Sequence, residues 1–70
     1  MIRMVDKDGR CTVVTTKRQV NGLYSVTTTH YDHSGYYIPG ATFTRDNSTL
    51  EEIEEFKVAA GRLGSKVTTY

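Results

Sequence analysis

The chain has one cysteine, Cys11, and no second one to pair with it. An intramolecular disulfide is excluded, which suits a reducing compartment and places the expected location in the cytoplasm. Long apolar runs are missing too. Met1 and Ile2 lead straight into Arg3, Met4, Val5 and Asp6, leaving neither the apolar stretch of a signal peptide nor a membrane span, so no membrane partner is expected. Net charge is nearly absent, with nine Lys plus Arg against eight Asp plus Glu. That balance argues against a polycation that coats nucleic acid and against an acidic mimic of DNA. Seventy residues leave no room for a second domain or a solenoid repeat, and residues 1–70 read as a single domain. A core of this size contributes about 3–5 kcal/mol of net stability, and without disulfides the available supplement is oligomerisation.

What is present is an ordinary globular mixture: 37% hydrophobic and 24% charged residues exclude disorder. Eleven threonines, clustered at Thr15-Thr16, Thr27-Thr28-Thr29 and Thr68-Thr69, are strand composition. Asp8-Gly9 and Asn21-Gly22 both suit two-residue type I′ hairpin turns. They predict a meander of strands near Ile2–Lys7, Arg10–Val20 and Leu23–Tyr31. Asp32-His33-Ser34-Gly35 reads as a loop, and Tyr36–Thr44 as a fourth extended segment whose Pro39-Gly40 marks an edge, a bulge or a break.

The helix signal follows. Ser48 with Glu51, or Thr49 with Glu52, forms a capping box, and Leu50, Ile53, Phe56, Ala60 and Leu63 recur at helical spacing as one apolar stripe. Gly64 suits the left-handed position beyond the last turn. Lys66–Tyr70 then adds a short strand. The expected fold is α+β: an antiparallel meander sheet of four to five strands with one amphipathic helix packed on one face, in the order βββ(β)αβ.

Two-residue turns set Lys7 opposite Arg10 and Val20 opposite Leu23. Carried outward, this register puts Ile2, Met4, Cys11, Val13, Tyr24 and Val26 on the helix-covered side, with Asp6, Thr15, Thr28 and His30. The other side collects Arg3, Lys7, Arg10 and Arg18 around Val5, Val14, Val20 and Leu23, with Thr12, Thr16, Thr27 and Thr29. One helix covers one side, so this basic side is expected to stay bare. Residues 1–45 hold six bases against three acids and residues 46–70 three against five, so the molecule is expected to be electrically two-sided.

Four constellations compete for a function. The same register brings Cys11, His30 and Asp32 near one another, a thiol, an imidazole and a carboxylate in nucleophilic arrangement. No oxyanion donor or nucleophile turn accompanies them, so the expectation is that the protein is not an enzyme. His30-x-x-His33 with Cys11 and Asp32 supplies metal-ligand types but lacks the paired spacing of structural zinc, so neither metal nor cofactor is expected. The segment from His30 to Gly40 gathers Tyr31, His33, Tyr36 and Tyr37 around a turn, the amphipathic rings that dominate recognition surfaces. The competing reading folds Tyr36 with Ile38, or Tyr37 with Phe43, into the strand core. Arg3, Arg10 and Arg18 on the bare face admit a nucleic-acid reading, weakened because no aromatic ring is expected beside them. The valines among those cations point instead to a protein contact or a homodimer. Asn47-Ser48-Thr49 matches a glycosylation sequon and is read as the helix entry.

The compact meander, the transition Phe43-Thr44-Arg45-Asp46-Asn47-Ser48-Thr49-Leu50-Glu51-Glu52-Ile53-Glu54-Glu55-Phe56 and the missing catalytic apparatus together resemble the small anti-defence proteins of bacteriophages, of the anti-CRISPR type. The resemblance implies a non-catalytic inhibitor that occupies a surface of a larger host protein complex in the host cytoplasm. Several such proteins are strongly acidic DNA mimics, and this chain is not, which implies occlusion of a protein surface. The expected partner-binding residues are Tyr31, His33, Tyr36, Tyr37, Arg3, Arg10 and Arg18. The alternative function is a small nucleic-acid-binding protein that uses the basic face.

Overall fold

Gly9, Gly22 and Gly35 recur every thirteen residues, and each closes a hairpin of the same construction. In the computed structural model, which describes residues 1–70, their φ values are 84°, 83° and 86°. Each glycine N–H donates to the carbonyl three residues earlier, at 3.1 Å to Asp6, 3.1 Å to Gln19 and 3.0 Å to Asp32. These are three-residue loops, a type I turn followed by a left-handed glycine bulge. Asp8 and Asn21 do not take the positive φ that a type I′ turn demands of them. The first and third loops are further fastened by their leading aspartates. Asp6 Oδ1 accepts from the backbone N–H of Asp8 and Arg10, both at 2.9 Å, and Asp32 Oδ1 accepts from Ser34 at 2.9 Å and Tyr36 at 3.0 Å.

The elements are β1 (Ile2–Val5), β2 (Cys11–Arg18), β3 (Tyr24–Tyr31), β4 (Tyr37–Ser48), α1 (Leu50–Arg62) and β5 (Lys66–Thr69). The protein is α+β, a five-stranded antiparallel sheet in the order β4-β3-β2-β1-β5 with one helix crossing from one edge strand to the other. No helix is long and apolar enough to cross a membrane.

The extra loop residue in each of the first two hairpins corrects the expected faces. Arg10 pairs with Asp6 rather than Lys7, and Leu23 with Gln19 rather than Val20. A slip of one residue turns every side chain of a strand to the other face. The first slip inverts β2 relative to β1, and the second restores β3, so only β2 is reversed. Val14, expected outside, aligns with Ile2 and Thr28 and is 1% exposed, the most buried side chain in the molecule. Cys11 and Val13, expected inside, face outward.

The core is small: Ile2, Met4, Val14 and Ile53, with Tyr24, Val26, Ala60 and Val67 packed against it half-buried. The helical stripe is less covered than its spacing predicts. Ile53 is buried, but Leu50 is 59%, Phe56 46% and Leu63 81% exposed. Leu50 and Leu63 sit at the two ends of the helix and Phe56 lines the gap toward β3 and β4, so Ile53 and Ala60 carry the contact with the core.

Both helix ends follow their sequence signals. Thr49 is the N-cap, its Oγ1 accepting from Glu52 N–H at 3.1 Å, which decides between the two capping candidates. Past the C-cap Leu63, Gly64 N–H donates to Gly61 and Ser65 N–H to Ala60, each at 3.1 Å, the paired bonds of a Schellman ending. Gly64 has φ 92°, and a Cβ there would stand 2.5 Å from Lys7 Cε. Gly64→Ala is expected to cost about 1–2 kcal/mol through the left-handed backbone, because the lysine tip can move aside. A urea titration followed by circular dichroism checks it.

β4 runs four residues beyond the expected segment, which the polar Arg45-Asp46-Asn47-Ser48 stretch disguises as loop. Two irregularities let it pair that far. Residues 38–41 bulge opposite His30, where Pro39 has no N–H to offer, and Asp46-Asn47 bulge opposite Ser25. Asn47, with φ 60°, is held by the β2–β3 hairpin: its N–H donates to Gln19 Oε1 at 2.8 Å and its Oδ1 accepts from Asn21 Nδ2 at 3.1 Å. With Asn47 so engaged and Ser48 buried, the sequon is part of the turn into the helix.

Candidate binding face of the sheet

Alternation along the strands and the observed register place the outward side chains in rows across the sheet. At the end nearest the β1–β2 and β3–β4 hairpins lie Tyr37, Tyr31, Cys11, Val5 and Lys66, from β4 to β5. The next row is Thr42, Thr29, Val13, Arg3 and Thr68. Thr44, Thr27 and Thr15 follow, with Asp46, Ser25 and Lys17 beyond them. The helix packs on the opposite side, so nothing in the chain covers these rows.

Contacts among neighbouring side chains hold the face in shape. Tyr31 and Tyr37 meet edge to face with centroids 6.3 Å apart, the arrangement that aromatic quadrupoles favour. Tyr37 Oη and Thr42 Oγ1 are 3.0 Å apart, the Thr27 and Thr44 hydroxyls 3.3 Å, and Ser25 Oγ donates to Asp46 Oδ1 at 2.8 Å. Arg3 Nε donates to Cys11 Sγ at 3.4 Å. Hydrogen bonding to Cys11, and secondarily to Tyr70, pushes the Arg3 guanidinium further above its ordinary range. It is a permanent cation at the centre of the β1–β5 half. Arg3, Lys17 and Lys66 are set against Asp46 as the one acid in these rows. Glu51, Glu54 and Glu55 are exposed on the helix in the other layer, but Lys57 and Arg62 share that helix and Arg18 and Arg45 lie on the helix side of the sheet, so the excess of one sign is confined to the open face.

Of the expected partner-binding residues, Tyr31, Tyr37 and Arg3 share this face. Arg18 does not, because β2 is reversed: it pairs with Tyr24 on the helix side. Arg10 closes the first hairpin opposite Asp6 and Tyr36 closes the third opposite Asp32, both off the open rows. His33 stands exposed in the third loop, its Cβ near Gly9. The corrected basic face is Arg3, Lys17 and Lys66 rather than Arg3, Lys7, Arg10 and Arg18. Lys17 and Lys66 were missed, and the distinction between two- and three-residue loops would have found Lys17.

The same correction separates the proposed chemical residues. Cys11 faces outward, while His30 lies on the helix side, its Nδ1 3.0 Å from Thr12 Oγ1 and its ring edge to face with Phe43. Asp32 is occupied in its own turn. No three His, Cys, Asp or Glu side chains come close enough to hold a metal ion.

The chain matches no family model, no curated protein and no solved structure. Rows of hydroxyls, two tyrosine rings and an arginine are residue types that antibody combining sites favour.

Proposed function

We propose that the protein is a non-catalytic binding module that docks through the open face of its sheet on a larger protein assembly and inhibits it by covering a surface. The observation that carries this reading is the meeting of Tyr31, Tyr37, Arg3 and the threonine rows on one uncovered face. Tyrosine and arginine supply most of the binding energy in protein interfaces, and a rigid platform loses little entropy on docking. The excess of cations selects a partner surface of acidic character. The meander and helix entry that resemble phage anti-CRISPR proteins supply the biological setting: an inhibitor of bacterial immunity working in the host cytoplasm.

Expression in a bacterium with active CRISPR immunity tests this. Phage that the immunity targets is expected to regain plaque formation, and the gain to vanish with Arg3→Glu while Arg18→Glu keeps it. Unchanged immunity in cells that accumulate folded protein would remove the anti-CRISPR form of the proposal.

A second reading is favoured by one observation. No aromatic ring is expected beside the cations, yet Tyr31 and Tyr37 lie on the same face as Arg3, Lys17 and Lys66. That combination also suits single-stranded nucleic acid, with bases stacked on the rings and phosphates on the cations. Fluorescence anisotropy with labelled single strands decides it: binding that weakens steeply with salt supports this reading, and none at low salt removes it.

A further inference from the structure

The open face is not the surface on which a second copy fits. Turned on itself it would set Arg3, Lys17 and Lys66 against their own equivalents with only Asp46 to offset them, and the outer helix face would oppose Glu51 and Glu54 to themselves. The groove beside the helix instead combines both signs with exposed aromatic rings. Between the N-terminal half of α1 and the β3–β4 part of the sheet runs a groove of about 470 Å³. Its floor and walls include Val26, Phe43 and Phe56, with Arg45 on the β4 side and Glu55 on the helix side. Phe43 is 61% and Phe56 46% exposed, and the Arg45 side chain is 79% exposed even while it contacts Glu52 Oε2 at 3.4 Å.

We propose that this groove is a homodimer interface, occupied by the same groove of a second copy. A two-fold axis along the groove lays the β4 wall of each chain over the helix wall of the other. Arg45 then faces the second copy's Glu55 twice, while Phe43 and Phe56 of both chains fill the centre, the self-complementarity that a two-fold contact requires. The need for it lies in the core: four buried apolar residues in 70 are few for an independent domain without disulfides, and association is the remaining supplement. The inference is independent of what the open face binds. Dimerisation through the groove leaves both open faces directed outward, so one dimer presents two docking surfaces to an assembly of repeated subunits.

Sedimentation equilibrium of the isolated protein, from low micromolar to millimolar concentration, is the test. The expected result is a concentration-dependent mass reaching twice the 7.9 kDa of one chain. Phe43→Ser is expected to abolish it, as are Arg45→Glu and Glu55→Arg singly, and the double variant Arg45→Glu with Glu55→Arg to restore it. Circular dichroism on each variant reports whether it folds, and Phe43→Ser changes a side chain already exposed in one chain. A wild-type monomer throughout overturns the proposal. So does a dimer that folded Phe43→Ser and both charge reversals leave intact, which would place the contact on another surface.

Discussion

Val14→Asp is expected to unfold the protein at room temperature, and Val13→Asp, one residue earlier on the same strand, to leave it folded. Val14 is 1% exposed between Ile2 and Thr28 on the helix side. No basic side chain belongs to its core cluster. Burying an unpaired carboxylate costs several kcal/mol, against about 3–5 kcal/mol of net stability for a domain of this size. The penalty therefore matches or exceeds everything available. At position 13 the side chain points outward and its cross-strand partner is Arg3, so an aspartate there gains an opposite-charge pair of about 0.2–1 kcal/mol. Far-UV circular dichroism and amide proton dispersion read both outcomes. Had the hairpins been two-residue turns, the two variants would exchange behaviour, so the pair measures the register of β2 directly.

That register marks where sequence reading stopped. Element identity was legible because each element carries several agreeing signals. The helix has its Thr49 cap, its Glu52 and its Gly64 ending, and the strands have β-branched runs punctuated by glycine. Loop length was not, because Asp-Gly and Asn-Gly serve both two-residue turns and the last two positions of a three-residue loop. At the first hairpin the residue before separates them: Asp6 stands three places ahead of Gly9 and holds the loop from the inside through Oδ1, as Asp32 does ahead of Gly35, whereas Gln19 ahead of Gly22 carries no such signal. Two equal slips then cancelled. β1 and β3 kept their expected faces, while β2 alone turned over and carried Val14, Cys11, Arg18 and Lys17 with it.

The candidate site suffered from the same step, and for a reason that reaches beyond one strand. Surface sites on a sheet are defined by parity, and parity is the quantity that a single inserted residue destroys. Tyr31 and Tyr37 lie on the open face because β3 keeps its parity and Tyr37 pairs directly with Tyr31, ahead of the bulge at Pro39-Gly40. Arg18 lies on the helix side instead, because its place depends on the turn at Asn21-Gly22. The exposed Phe56 was hidden for a different reason: helical spacing shows which residues share a stripe, not how much of the stripe the sheet is wide enough to cover.

Truncation of Tyr37 is expected to weaken partner binding by about thirty-fold or more, the scale of a 2 kcal/mol anchor, while lowering stability by only about 1 kcal/mol. Tyr37 is 49% exposed on an edge strand, so Tyr37→Ala leaves no buried void. What it removes is the edge-to-face support of Tyr31 and the hydroxyl contact with Thr42, both of which hold the ring ready before the partner arrives. Arg18→Glu is the matched control, an exposed cation on the opposite side of the same sheet, and is expected to change affinity by less than about twofold. Arg3→Glu separates the two partner classes. Against a protein surface it slows association and makes the loss salt-dependent. Against a nucleic-acid strand it lowers the slope of log affinity against log salt by about one. Isothermal titration or anisotropy across a salt series, with thermal unfolding run alongside, distinguishes these outcomes. Equal loss in Tyr37→Ala and Arg18→Glu would instead show that the open face is not the docking surface.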